Sequence, residues 1–282
     1  MRGYSLFLER LVKALLKKLL LTICLILLCN CSLAQDKAAN PSIMDIKALF
    51  VIEDTNVILG AGNDDYIKAR SSFHEALKAN EDVPKKTAAF NDAIKAINLA
   101  TNKELDNPLY WLLGSQIYRS RGGIGYAKNY FAKACELYED RLKEYPESIS
   151  FNLQYAVACY AGDAQFYADY GNYKSRAVKS AKKTLQLINE TETKPEFAWL
   201  LELFQENFVE QKFLAYIILQ DDKKIAKLLK EIKNKYNKAD LQYRMAADYE
   251  NLVVNGKWHW KVSSKDGAEK AFLMYYLRDL ID

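Results

Sequence analysis

Apolar residues return along this chain at three- and four-residue intervals, broken by short polar clusters, with no strand-like alternation joined by tight turns. Ile43, Ile46, Phe50, Val57 and Ile58 share one helical face, which ends at Gly60-Ala61-Gly62-Asn63. Asp64 reads as the N-cap of a helix to Asn80 that carries Ile67, Ala69, Phe73, Ala76 and Leu77 on its apolar side. Pro84 opens the next, with Ala89, Phe90, Ala93, Ile97 and Ala100. Proline suits a first helical turn because its missing N–H has no partner there anyway, and Pro108, Pro146 and Pro195 are placed alike. The stretch from Asn107 to Tyr173 predicts a helix, a glycine turn, a helix over Tyr126–Lys143, a proline turn and a helix over Ile149–Tyr170. Beyond it the pattern predicts a helix over Tyr173–Leu187, a polar link Ile188–Lys194 and a helix over Pro195–Leu219. A break at Gln220-Asp221-Asp222 precedes helices to Tyr236 and over Asp240–Val254. Lys257–Val262 reads as extended, before a last helix Ala268–Leu280. The expected class is all-α.

One small-residue spacing recurs. Ala127-x3-Phe131-x2-Ala134 returns as Ala69-x3-Phe73-x2-Ala76 and more loosely as Ala93-x3-Ile97-x2-Ala100. Leu113-Gly114 stands ahead of Ala127, and Ala93 and Ala127 are 34 positions apart. This pattern resembles the tetratricopeptide repeat, a helix-turn-helix unit of about 34 residues. The resemblance covers Asp64–Asn189 and departs from the family in one extra residue at the glycine turn and in the late Pro146. It implies antiparallel helical hairpins stacked as a short α-solenoid, each burying its neighbour's apolar face. The expected organisation is a leader at 1–34, a spacer at 35–41, tetratricopeptide-like hairpins at 42–194 and a C-terminal helical cap at 195–282.

Charge alters the picture only at the N-terminus. The first 34 residues hold five of the 40 basic and one of the 36 acidic side chains, so residues 35–282 carry 35 of each. The net charge of +4 therefore belongs to the leader, and no basic stripe suited to nucleic acid follows it. Basic residues, the apolar run Leu19–Cys29 and Ser32-Leu33-Ala34 have the layout of a secretory signal peptide. Three readings stay open: cleavage before Gln35, acylation of Cys31 as a lipoprotein, or an uncleaved anchor lengthened by Leu11–Leu16. Each puts the folded part outside the cytoplasm, and membrane contact is expected only through the last two.

Candidate chemistry is sparse. G-x-S-x-G, H-E-x-x-H, P-loop and C-x-x-C motifs are absent, and two histidines, His74 and His259, make a poor basis for a metal site. No catalytic residue, metal or cofactor is expected. Beyond the leader stand Cys135 and Cys159, each 12 residues from Glu147 across the predicted proline turn. A hairpin would set them at one height, as a disulfide or as two buried thiols. The predicted third helix carries Tyr160, Asp163, Tyr167 and Tyr170 beside an apolar stripe. Tyrosines combine an apolar ring with a polar tip, so this stripe reads either as a binding surface or as helix packing. Trp258 and Trp260 share one face if their segment is extended, to stack on a ligand or to seal the core. The expected function is an exported, non-enzymatic scaffold for a protein or peptide partner. The alternative is an extracytoplasmic small-ligand binder, accessory to a transport or carbohydrate system, using an aromatic-lined pocket.

Overall fold

The structure, a computed structural model, describes residues 62–79, 82–161, 170–194, 198–256 and 264–279, all within one compact unit, Lys47–Asp282. The leader, the helix expected before Gly60 and the extended run at 257–262 lie outside the described residues. Ten α-helices and no strand occur among them: α1 (Asn63–Lys78), α2 (Val83–Lys103), α3 (Pro108–Arg121), α4 (Ile124–Glu144), α5 (Ile149–Ala161), α6 (Tyr170–Thr193), α7 (Ala198–Ile218), α8 (Asp222–Lys235), α9 (Leu241–Tyr249) and α10 (Lys265–Asp279). A π-helical turn, Glu250–Val254, continues α9.

Local chemistry fixes where these helices begin and end. The Asp82 carboxylate accepts from Lys85 N at 3.0 Å and Pro84 sits in the first turn, so α2 starts there. Asn107 accepts from Leu109 N at 3.2 Å directly before Pro108. Gly122, at φ +92°, closes α3 in the left-handed conformation that side chains resist, which makes the turn into α4. Pro146 cannot continue α4, and Ser148 Oγ accepts from Phe151 N at 3.1 Å to start α5.

Neighbours in sequence pair in space. The most extensive packing joins α1 to α2, α3 to α4 and α5 to α6. Further contacts of α2 with α3, α4 with α5 and α6 with α7 carry the stack along the chain, an all-α, solenoid-like arrangement. All three Ala-x3-apolar-x2-Ala triplets are buried. Those of α2 and α4 lie on the second helix of a hairpin, whereas that of α1 lies on a first helix. One continuous core runs from Tyr66 in α1 to Tyr276 in α10, with no break at residue 194.

One expected boundary is corrected. Ile188–Lys194 is not a link, because α6 runs to Thr193. Ile188 packs with Ile149, Leu187 and Phe208 in a second small core, and Thr191 continues the buried stripe, so the helix still has a face to bury. Of the third predicted helix, Ile149–Ala161 is described as α5, and Tyr170 lies in α6, which packs back against α5.

Candidate functional site

Helix α5 is surrounded. It packs against α4, α6, α7 and α10, and from Ile149 to Tyr160 only Ser150 escapes full burial. A helix apolar on every side belongs inside, and its few polar groups must find partners there. Asn152 Nδ2 donates to Ser148 O at 2.8 Å and to Pro146 O at 3.1 Å.

Tyr160 is consequently no surface residue. It is 1% exposed, because α10 covers the face expected to be open. Its hydroxyl donates to Asp266 Oδ1 at 3.0 Å and accepts from Gln220 Nε2 at 3.3 Å. Lys270 Nζ lies 5.4 Å over its ring and pairs with Asp266 Oδ2 at 2.7 Å. Burial pushes the Asp266 carboxyl up, but the Lys270 hydrogen bond and charge outweigh it, so the group stays below the usual carboxylate range. One turn along, Glu269 is buried, accepts from Tyr249 Oη at 2.9 Å and lies 3.7 Å from Lys265. Burial holds its carboxyl above the usual value, against the opposing pull of Tyr249 and Lys265. These groups satisfy one another, so the network clamps α10 onto α5 and the α7–α8 corner. Asp163, Tyr167, Trp258 and Trp260 lie outside the described residues, and of Tyr170 only the backbone is described.

Cys135 of α4 and Cys159 of α5 do meet, both buried and not joined by a disulfide. The Cys159 thiol within hydrogen-bonding reach and burial together push the Cys135 thiol far above its ordinary value. Polar groups close the pair off at one side. Tyr155 Oη and Arg176 Nη1 each donate to Glu139 Oε1 at 2.6 Å.

The exposed aromatic surface lies elsewhere, on the hairpin α3–α4. Tyr126 is 64% exposed and stacks on Tyr118, with ring centroids 5.1 Å apart and planes at 22°. Tyr118 is followed by Tyr130 at 5.0 Å, and Tyr130 by Trp111 at 4.8 Å. Both Tyr118 Oη and Tyr130 Oη donate to Asn98 Oδ1 of α2, at 3.0 and 2.7 Å. Burial raises the Tyr130 hydroxyl to about 12, so it remains a donor at any physiological pH. Trp111 Nε1 donates to Leu105 O at 2.9 Å, which places the 63% exposed Leu105 at the end of the ladder. The sequence carried a signal for it: Tyr126 and Tyr130 are four apart, Trp111 and Tyr118 seven apart, each pair on one helical face.

Among the described residues no cluster of His, Cys, Asp and Glu could hold a metal ion, and no helix is long and apolar enough to cross a membrane. No family model matches the chain, nor does any curated protein or solved structure.

Proposed function

We propose that this chain is an exported, non-enzymatic scaffold that holds a protein or peptide partner on stacked tetratricopeptide-like hairpins. The observation that carries the reading is the ladder Tyr126–Tyr118–Tyr130–Trp111, which leaves part of its aromatic surface in water on the hairpin α3–α4. Tyr and Trp contribute large rigid contact area with few rotors to freeze, which suits them to interfaces. Asn98 anchors two of the four hydroxyl- or N–H-bearing rings, so much of their ordering precedes binding. Export rests on the basic and apolar layout of residues 1–34. The small-ligand alternative loses Tyr160, which is enclosed by Asp266, Gln220 and Lys270.

Site-specific photocross-linking tests the scaffold reading. A photoreactive phenylalanine analogue at position 126, in producing cells, is expected to trap a discrete protein adduct. The same analogue at Lys182, exposed on α6, is expected to trap none. Equal trapping at both positions, or a chain that traps nothing while binding a metabolite, would count against the scaffold.

A further inference from the structure

The ladder is bordered by cations. Lys95 precedes Asn98 by three residues on α2, Arg121 follows Tyr118 by three on α3, and Lys133 follows Tyr130 by three on α4. Residues three or four apart share a helix face. No carboxylate occupies any position three or four residues from Asn98, Trp111, Tyr118, Tyr126 or Tyr130. Lys133 is paired with Glu136 at 2.7 Å, but Lys95 and Arg121 are exposed and make no ion pair among the described residues. The nearest acids in the α2–α3 loop, Glu104 and Asp106, lie beyond Trp111, and Arg141 holds Asp106 at 3.1 Å. The surface is thus graded, cationic beside Tyr118 and apolar at Leu105 and Trp111. At its middle, Asn98 Oδ1 is filled by two hydroxyls, while Nδ2 has no hydrogen-bond partner among the described residues. An amide nitrogen so placed can donate to a main-chain carbonyl.

Resting on the scaffold reading above, we infer that this face docks an extended acidic segment of a partner protein. The segment's carboxylates face Lys95 and Arg121, one of its carbonyls accepts from Asn98 Nδ2, and an apolar or aromatic side chain lies toward Leu105 and Trp111. Charge complementarity selects this occupant. Aromatic rings with cations also suit single-stranded nucleic acid, but such binders track a backbone with a continuous basic groove. Here three cations border the rings, and residues 35–282 have no net charge.

The test is selection of a displayed random-peptide library on the full chain, purified in mild detergent, with synthesis of the winners for titration. Winners are expected to place Asp or Glu beside an aromatic residue or proline. Their binding is expected to weaken about tenfold or more in Tyr126→Ala, in Lys95→Glu and in Arg121→Glu, and to fall with added salt. Lys182→Glu is expected to leave it unchanged. Circular dichroism monitors folding, which an exposed Tyr126 does not support. Winners without acidic enrichment, or winners indifferent to Tyr126→Ala and Arg121→Glu, overturn the acidic-segment inference while leaving a peptide-binding scaffold standing. Absence of any winner, with Tyr126-dependent binding of oligo(dT), overturns both. A dimer that Tyr126→Ala converts to monomer in sedimentation also overturns the inference, because a second copy would then be the occupant.

Discussion

A hydrogen at Gly114, where other residues carry a Cβ, sets how closely Tyr130 approaches α3. A Cβ added there would lie 2.5 Å from Tyr130 Cε1 and nearer still to Cδ1, with Ile97 Cγ1 at 3.4 Å behind. In an exposed helix, Gly→Ala gains about 1 kcal/mol of helix propensity. Here the ring must move, and the Tyr130–Asn98 hydrogen bond goes with it. Gly114→Ala is therefore expected to destabilise by about 1–3 kcal/mol, the usual penalty of overpacking; a raised urea midpoint would contradict this. Glu269 supplies a second residue-scale outcome. Its folded carboxyl titrates above the ordinary value of 4.5, chiefly through burial. Its contribution to stability is then fully present below the unfolded value and is lost as pH rises through the folded one. Glu269→Gln keeps an acceptor for Tyr249 and removes that loss. Urea unfolding at a series of pH values is expected to show the variant gaining on the wild type from about pH 4.5 upward. An advantage of the wild type that widens with pH would sink the assignment. The two sites differ in legibility. Tyr126 and Tyr130 could be placed together off the buried face from their spacing alone, since Ala127, Phe131 and Ala134 claim that face. The burial of Tyr160 could not, because it depends on α10, more than a hundred residues later.

Helix α5 shows how far pattern reading carries at the scale of an element. Its span begins where Pro146 and Ser148 dictate, and its apolar content marks it as helical and buried. Periodicity, however, assumes one wet face. In α5 Tyr160, which the pattern offered as a binding surface or as helix packing, is as buried as the apolar stripe beside it, because α7 and α10 close over the helix. The link expected at Ile188–Lys194 failed for the converse reason: its polar composition hid Ile188 and Thr191, which keep α6 docked until Thr193. The α4–α5 hairpin, by contrast, was legible from the count across Pro146, and it brings Cys135 and Cys159 together. The thiolate is the reactive form of cysteine, and burial beside a second thiol disfavours it at Cys135. Maleimide labelling of the full chain, localised by mass spectrometry, is expected to spare both residues when folded and to modify both after unfolding without reductant. Labelling that needs reductant would show a disulfide.

At the scale of the whole molecule, the expected division at residues 194 and 195 follows the repeat resemblance, but the core does not follow the division. Phe213 of α7 meets Tyr249 and Phe272 at ring separations of 5.2 and 6.2 Å, and Phe272 meets Tyr276 at 4.6 Å. This aromatic cluster belongs to the same continuous core as α1–α6. Its links to them are α5 and α6: α7 packs on both and α10 covers α5, with Asp266 and Gln220 supplying the partners of the Tyr160 hydroxyl. A chain ending at Lys194 would therefore expose one side of α5 and leave that hydroxyl without Asp266 and Gln220. It would also strip Phe208 from the small core at Ile149 and Ile188. Each large apolar side chain returned to water forfeits about 1.5–3 kcal/mol, and a domain has only about 5–15 kcal/mol to lose. Losing several such contacts exceeds that margin. The truncated chain is expected to keep helical circular dichroism, to bind a hydrophobic dye and to lose a cooperative thermal transition, as a loosely packed state does. The intact chain is expected to unfold in one step, with near-ultraviolet and far-ultraviolet signals coincident. A truncated chain that melts cooperatively near the intact midpoint would mean that the hairpins carry their own core and that α7–α10 are an appendage.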